Sequence, residues 1–341
     1  MRNVPGLETI ERDYSSKGVK FYYIYKALAH PENNGYVAPF TLAERLMHVA
    51  EAKKQFGTQF HWICDSMDND LKHALGDRPN SEFVIDPEGK IVVARQWSNP
   101  KELRADLEEF VGTVRQPTTI ADIGMKPIAP PKTAPKGVVP RIKLPGQLSP
   151  VVVEPIVEND DDPQPFYAKL RAEVDSEFSR NGEGKLYLGF FLDPLYKVHW
   201  NNRAAPVTFE ITDQRGVVLS EQSGRAPEVK EDADADPREF LIDLSEDPDN
   251  PQPRGSREIT LTVKYFACDD AETFCKPVSQ SYRVSLNRDR DGGSRRSAGG
   301  RGGPRRGSQA GNRSRSRSQM TPQQRRAMQE RLRRQGRLPQ R

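Results

Sequence analysis

Hydrophobic and polar positions along the first 112 residues alternate between two periods. Leu7, Ile10 and Tyr14 recur at helical spacing, and the run "VKFYYIY" after them reads as a buried strand. "TLAERLMHVAEAKKQF" predicts a second helix, with Thr41 as N-cap, Glu44 completing a capping box, and Leu42, Leu46, Val49 and Ala50 on one face. "QFHWIC" predicts another strand and "DNDLKHAL" a short helix, while "EFVID" and "IVVAR" flank a turn at Pro87 to Lys90 and predict a hairpin. Asn99, Pro100 and Gly112 bracket the last helix as cap, first-turn residue and terminator. Helices and strands in this order predict an α/β layer structure with one antiparallel hairpin.

The pattern then changes twice. Residues 113–165 hold eleven prolines, a density that favours extended chain and predicts a linker. Residues 166–287 return to a period of two. "KLYLGFFL", "YKVHW", "APVTFEITD", "GVVLSE", "REFLIDL", "REITLTVKYFAC" and "VSQSYRVSLN" are separated by turn residues and predict an all-β sandwich. Its core is expected from Leu186, Leu188, Phe190, Phe209, Ile259, Leu261 and Val263, with the acidic stretch "EVKEDADADPRE" a solvated loop. Residues 288–341 are Gly/Arg/Ser-rich and are expected to be disordered, apart from a marginal basic helix over 321–335.

Charge divides the chain more sharply than composition does. From Asn287 to Arg341 there are seventeen Arg, no Lys and three acids, a net +14, which leaves −10 for the rest of a chain whose total is +4. An acidic body carries a basic tail, and "GRGG" and "RSRSRS" give that tail the chemistry to bind nucleic acid or another polyanion. No apolar run reaches the roughly 18 residues needed to cross a bilayer. The start "MRNVPGLETI" shows no secretory h-region, so the sequence as it stands reads as cytoplasmic.

Candidate chemistry concentrates in "YFACDDAETFCKP", which holds Cys268 and Cys275, two of only three cysteines. Strand-like sequence on both sides puts the pair near the mouth of a hairpin, close enough for a bridge if those strands pair. A zinc site needs two further clustered ligands, and His30, His48, His61, His73 and His199 are scattered. A structural staple and a working redox pair both remain open on the residues alone. The acids Asp269, Asp270 and Glu272 raise thiol pKa, and Lys276 counters them in part.

Tyr265, Cys268, Phe274, Cys275 and Pro277, with the earlier Tyr196, His199, Trp200 and Asn202, make the region from about Lys185 to Asn287 resemble the N-terminal, immunoglobulin-like domain of the thiol:disulfide interchange protein DsbD. That resemblance implies that Cys268 and Cys275 carry electrons from a membrane donor to soluble periplasmic oxidoreductases, with Tyr265 and Phe274 as neighbours of the pair. Only this carrier module is matched.

In residues 1–112, "YIYKALAHPENNGY", "DSMDND" and "RPNSEFVIDPEGKIV" resemble the iodothyronine deiodinase-like branch of the thioredoxin superfamily. The resemblance implies a thioredoxin-like fold, with His30 near the active site and Pro79 where such proteins have a cis-proline. It also implies a strand and a redox Cys or selenocysteine before the first helix, where this chain begins. The expectation is therefore that Met1 is internal, with a strand, a catalytic residue and a secretion signal upstream. Cys64, alone on an apolar run, is expected to be a buried core thiol.

Together these features predict a two-module thiol–disulfide oxidoreductase, exported in its full form, with redox proteins as partners and no cofactor or metal. A non-catalytic interaction protein with a structural disulfide, and a deiodinase-like selenoprotein fragment, are the alternatives.

Overall fold

In a computed structural model the chain folds as two compact units. The structure describes residues 3–28, 31, 35–125, 137–146, 148–157 and 165–292. The basic tail beyond residue 292, with its expected helix, lies outside the described residues.

The first unit is the mixed α/β region. It runs α1 (Val4–Tyr14), β1 (Tyr22–Tyr25), α2 (Leu42–Phe56), β2 (His61–Cys64), α3 (Asp70–Ala74), β3 (Glu82–Ile85), β4 (Ile91–Arg95) and α4 (Pro100–Phe110). β1 and β2 pair in parallel, Tyr22 opposite His61 through Tyr25 opposite Cys64, and β3 and β4 form the expected antiparallel hairpin. Leu7, Ile10 and Tyr14 of α1 meet Leu103 and Leu107 of α4 and Phe60 in one apolar cluster. Asn99 caps α4 by accepting the Lys101 N–H at 3.1 Å, as its position before Pro100 predicts.

The second helix departs from its expected orientation. Val49 is buried, but Leu42 and Leu46 are 48% and 52% exposed, and Glu44, Arg45 and His48 turn inward instead. Arg45 explains this. Its guanidinium donates to the carbonyls of Asp65, Ser66 and Met67 and to Asn69 Oδ1, satisfying a loop after β2 that has no strand partner for those groups. His48 Nδ1 lies 2.8 Å from the Tyr25 hydroxyl. Polar satisfaction of the loop outweighs the apolar face of the helix.

The second unit is a large, sandwich-like β-sheet. Its elements are β5 (Leu148–Ile156), β6 (Ala168–Asp175), α5 (Ser176–Asn181), β7 (Glu183–Leu192), β8 (Val198–Asn201), β9 (Thr208–Arg215), β10 (Val217–Leu219), β11 (Ser223–Arg225), β12 (Ala233–Asp234), β13 (Arg238–Glu246), β14 (Glu258–Asp269) and β15 (Cys275–Arg288). The eleven strands follow the order β10-β13-β7-β6-β5-β15-β14-β8-β12, with β9 also on β14 and β11 on β9. Strict alternation makes β14: Ile259, Leu261, Val263, Tyr265 and Ala267 are buried, while Thr260, Thr262, Lys264 and Phe266 face outward. All seven residues expected in the core are at most 2% exposed and join a single cluster.

Two parts of this unit correct the sequence reading. The stretch expected to be linker contains β5, which pairs with β6 through Leu148–Pro150 and with β15 through Val151–Ile156. A strand that changes partners midway lets the sheet fold over on itself. The prolines do not prevent this, because Pro150 uses its carbonyl to accept the Asp289 N–H, and Pro155 pairs on one side only. Ahead of β5, Arg141 is held by Glu239 at 2.7 and 2.8 Å. Burial works to raise the Glu239 pKa, but donors from Arg141 and Tyr187 outweigh it and hold the carboxyl below its ordinary value.

The acidic stretch before β13 is not simply solvated. Asp234 turns inward to Arg238 at 2.7 Å and accepts from Asn202, and β12 pairs with β8. The Arg238 guanidinium stacks 5.4 Å from the Trp200 ring. This buried knot fixes one end of β8, the strand beside the cysteines.

Candidate functional site

Cys268 is the penultimate residue of β14, Cys275 begins β15, and the two are joined by a disulfide. The hairpin makes this pairing natural. Asp269 N–H donates to the Phe274 carbonyl at 3.1 Å, so residues 269 and 274 form the last hydrogen-bonded pair. The cysteines occupy the next, non-hydrogen-bonded rung, where facing side chains approach most closely, with Cα atoms 4.0 Å apart.

Strand alternation then decides which way the sulfurs point. Cys268 shares its face with Lys264 and Phe266, opposite the buried Tyr265 and Ala267, and Cys275 shares its face with Pro277 and Ser279. The bridge therefore lies on the outward face at the end of the sheet. Cys275 is exposed and Cys268 is 9% exposed, so an incoming group meets Cys275 first.

The hairpin loop is organised by one carboxylate. Asp269 accepts the N–H groups of Phe274 and Thr273 at 2.9 and 2.6 Å and the Thr273 hydroxyl at 2.8 Å. The backbone bond from Phe274, followed by those from Thr273, holds the Asp269 carboxyl below the usual carboxylate range. A group whose folded pKa is depressed contributes stability above its unfolded pKa and loses it as pH falls through the folded value. Loop protection is therefore expected to be complete above about pH 4 and to fade below it. Amide exchange at Thr273 and Phe274 measures this, and Asp269→Ala is expected to remove the protection at all pH values. Unchanged exchange in that variant would assign the loop's order to something other than Asp269.

β8 borders the other side of the bridge. His199 sits opposite Cys268 in register, and its Nδ1 lies 3.1 Å from Asp270 Oδ1. Two residues on, and so on the same face, Asn201 Nδ2 donates to Cys275 Sγ at 3.3 Å. Beneath the hairpin mouth Phe274 packs on Tyr167 at 5.7 Å, Tyr167 on Tyr196 at 5.4 Å, and Lys276 Nζ lies over Tyr167 and Phe274. Lys169, almost fully buried, lies over Tyr196 and pairs with Asp193 at 3.3 Å. A cleft of about 310 Å³ opens beside this face, walled by Asn201, Pro206, Val229 and Phe266 among others.

The structure sorts the expected site residues by distance from the sulfurs. Cys268 and Cys275 are together, and Phe274 flanks them. Tyr265 faces the core, where its hydroxyl donates to Gln280 Oε1 at 2.5 Å and accepts the Ala168 N–H; burial pushes its pKa far up. It supports the strand rather than touching the bridge. Of the "Tyr-x-x-His-Trp-x-Asn" stretch, His199 is beside Cys268, Trp200 and Asn202 belong to the Arg238 knot, and Tyr196 lies in the aromatic stack.

The site residues expected from residues 1–112 contribute less. His30 lies outside the described residues. Pro79 precedes β3, and its peptide bond is trans, as are all those described, so the expected cis-proline is corrected. Trans is the default for X–Pro bonds, favoured by about 0.5–1 kcal/mol unless neighbours enforce the other isomer. Cys64 is a half-buried free thiol whose pKa burial pushes up.

Asn201 was the residue missed. It sits at an unspecified position of the motif, and only the period of two from His199 would have marked it as sharing a face with the cysteines. No helix among the described residues is long and apolar enough to cross a membrane. Fold and site define the class: a chain with a mixed α/β unit and a sandwich-like β-unit, the latter bearing a disulfide on its outer face. Comparison with family models, curated proteins and solved structures found no match to this chain.

Proposed function

We propose that the protein is a thiol–disulfide exchange module that passes electron pairs between redox partners through Cys268 and Cys275. The observation that carries this reading is the outward, hairpin-mouth position of the bridge, with Cys275 exposed and the core complete without it. The resemblance of the β-unit to the DsbD carrier domain supports it. So does the resemblance of the first unit to thioredoxin-like proteins, and both fold assignments are part of the proposal. A disulfide persists in oxidising compartments, which favours an exported protein whose partners are thiol–disulfide oxidoreductases.

The chemistry is a balanced exchange. A partner thiolate attacks Cys275 Sγ, the Cys268–Cys275 bond breaks, and Cys268 leaves as a thiolate that takes up a proton. The partner's second thiolate then attacks its own sulfur in the mixed disulfide and releases Cys275. The partner leaves oxidised by two electrons and the module is left as a dithiol.

The test is to equilibrate the full chain in glutathione buffers of graded potential, trap free thiols by alkylation and weigh the products. A reversible transition at a potential above about −300 mV is expected. A bridge that stays closed across the whole series overturns the exchange reading.

A further inference from the structure

We infer that Asn201 is a catalytic residue of the exchange proposed above, holding Cys275 as the sulfur that attacks and is attacked. The inference rests on that reading and adds the group that makes the two sulfurs unequal.

Asn201 is fixed at both ends of its amide. Its backbone lies at the end of β8, opposite Ala233 of β12, and its Oδ1 accepts the Arg203 N–H at 3.1 Å in a side-chain turn. With the oxygen so engaged, Nδ2 is the end that faces Cys275 Sγ at 3.3 Å. A disulfide sulfur is a weak acceptor, and a thiolate is a charged one, so this bond strengthens as negative charge gathers on Cys275. A donor already aimed at the place where charge develops needs no reorganisation during the step. Among the described residues no hydrogen bond of this kind reaches Cys268, whose cross-strand neighbour His199 is engaged with Asp270.

In the reduced protein the Cys275 thiolate attacks a partner disulfide. That bond breaks, and the partner's departing sulfur takes up a proton. Cys268, giving its proton to solvent, then attacks Cys275 Sγ and expels the partner's second thiolate. The partner is reduced by two electrons and the Cys268–Cys275 bond is restored. Asn201 acts at the first step and again when Cys275 leaves as a thiolate in the reverse direction.

Other charged groups surround the sulfurs. Asp269, Asp270 and Glu272 lie in the hairpin loop, Lys276 on β15, His199 on β8 with Lys197 just before it, and Arg203 in the turn that follows, ion-paired to Asp232. Asp269 is occupied by loop N–H groups and Asp270 by His199, which leaves the Asn201 amide as the direct contact.

The test uses the full chain, reduced with a phosphine and alkylated with iodoacetamide from about pH 5 to about pH 10. Fragmentation of the labelled peptide reads Cys275 apart from Cys268. Asn201→Ala is expected to move the Cys275 profile up by about half to one pH unit. Its alkylation near pH 7 then slows about two- to four-fold, once the greater nucleophilicity of a more basic thiolate is counted. Asn201→Asp keeps the acceptor for Arg203 and places an acid against the sulfur, so its shift should be larger. The Cys268 profile should stay in place in both. Unchanged Cys275 profiles in both variants, or equal shifts at the two cysteines, overturn the assignment. Because a phosphine opens the bridge, this readout decides Asn201 even if glutathione leaves the wild-type bridge closed, an outcome that would sink the exchange reading instead.

Discussion

Cys275→Ser is expected to abolish exchange with glutathione and with thioredoxin-type partners while the β-unit stays folded. The bridge closes a short loop, and chain-entropy arithmetic gives such a loop no more than about 2.5 kcal/mol. Against this stands a core built from β6, β7, β9, β13, β14 and β15, in which Leu186, Leu188, Phe190, Leu261, Val263, Tyr282 and Val284 are fully buried without any contribution from the sulfurs. The last rung of the hairpin is also secured independently, by Asp269 and its loop amides. Cys268→Ser should likewise retain the fold, and by exposing a lone Cys275 thiol it should trap mixed disulfides with partners. Circular dichroism, thermal melting and mass spectrometry of the adducts read the three quantities. A Cys268→Ser protein that is unfolded under native conditions would show a staple and remove the functional proposal.

The largest loss of stability is expected at Arg238, which makes no contact with the bridge. Its side chain is 2% exposed, donates to both Asp234 oxygens at 2.9 and 2.7 Å, to the Asp236 carbonyl at 2.8 Å and to Asn202 at 3.2 Å, and stacks on Trp200. Burial works to raise the Asp234 pKa, yet hydrogen bonds from Arg238 and Asn202 outweigh it and hold the carboxyl below its usual range. Arg238→Ala strands that carboxylate in the interior, a change that costs about 3–5 kcal/mol. The double variant Arg238→Met, Asp234→Leu should recover most of the loss, because removing both charges leaves neither unpaired. Urea unfolding of the single and double variants gives the coupling directly. If the single variant costs less than about 1 kcal/mol, the knot is not a buried charge pair in solution. The consequence for function is local: β8 carries Asn201, so loosening the knot should also blunt the Cys275 reactivity that Asn201 provides.

Much of the candidate site was legible in the sequence because it depends on local chemistry. Two strand-like runs separated by six residues place Cys268 and Cys275 at a hairpin mouth, and the period of two inside "REITLTVKYFAC" already puts Cys268 on the opposite face from Tyr265. What pattern alone did not give is the place of Phe274, which adjoins Cys275 in the loop, and the pairing of β14 with β15 puts it at the flank of the bridge. Asn201, and the loop-holding role of Asp269, escaped notice for a related reason. Their roles are hydrogen bonds to one sulfur and to three loop donors, and nothing in the residue type distinguishes such an amide or acid from a solvated one.

What the sequence determined by itself is the existence of the helices, the β3–β4 hairpin and the alternating strands, because periods of 3.6 and 2 are properties of the backbone and need no partner to be read. Tertiary structure decided the rest. Residues 148–156 became a strand because β6 and β15 present unpaired backbone groups to them, which outweighs the bias of Pro150 and Pro155 toward extended linker. The second helix turned Arg45 inward because the loop after β2 needed donors, so that Leu42 and Leu46 were left to solvent. Asp234 was buried because Arg238 could neutralise it there. In each case the deciding energy is the satisfaction of polar groups once the chain has folded, by residues far along the chain for β5 and Arg45 and by Arg238 together with the distant Asn202 for Asp234. A pattern of hydrophobic and polar positions carries no record of it.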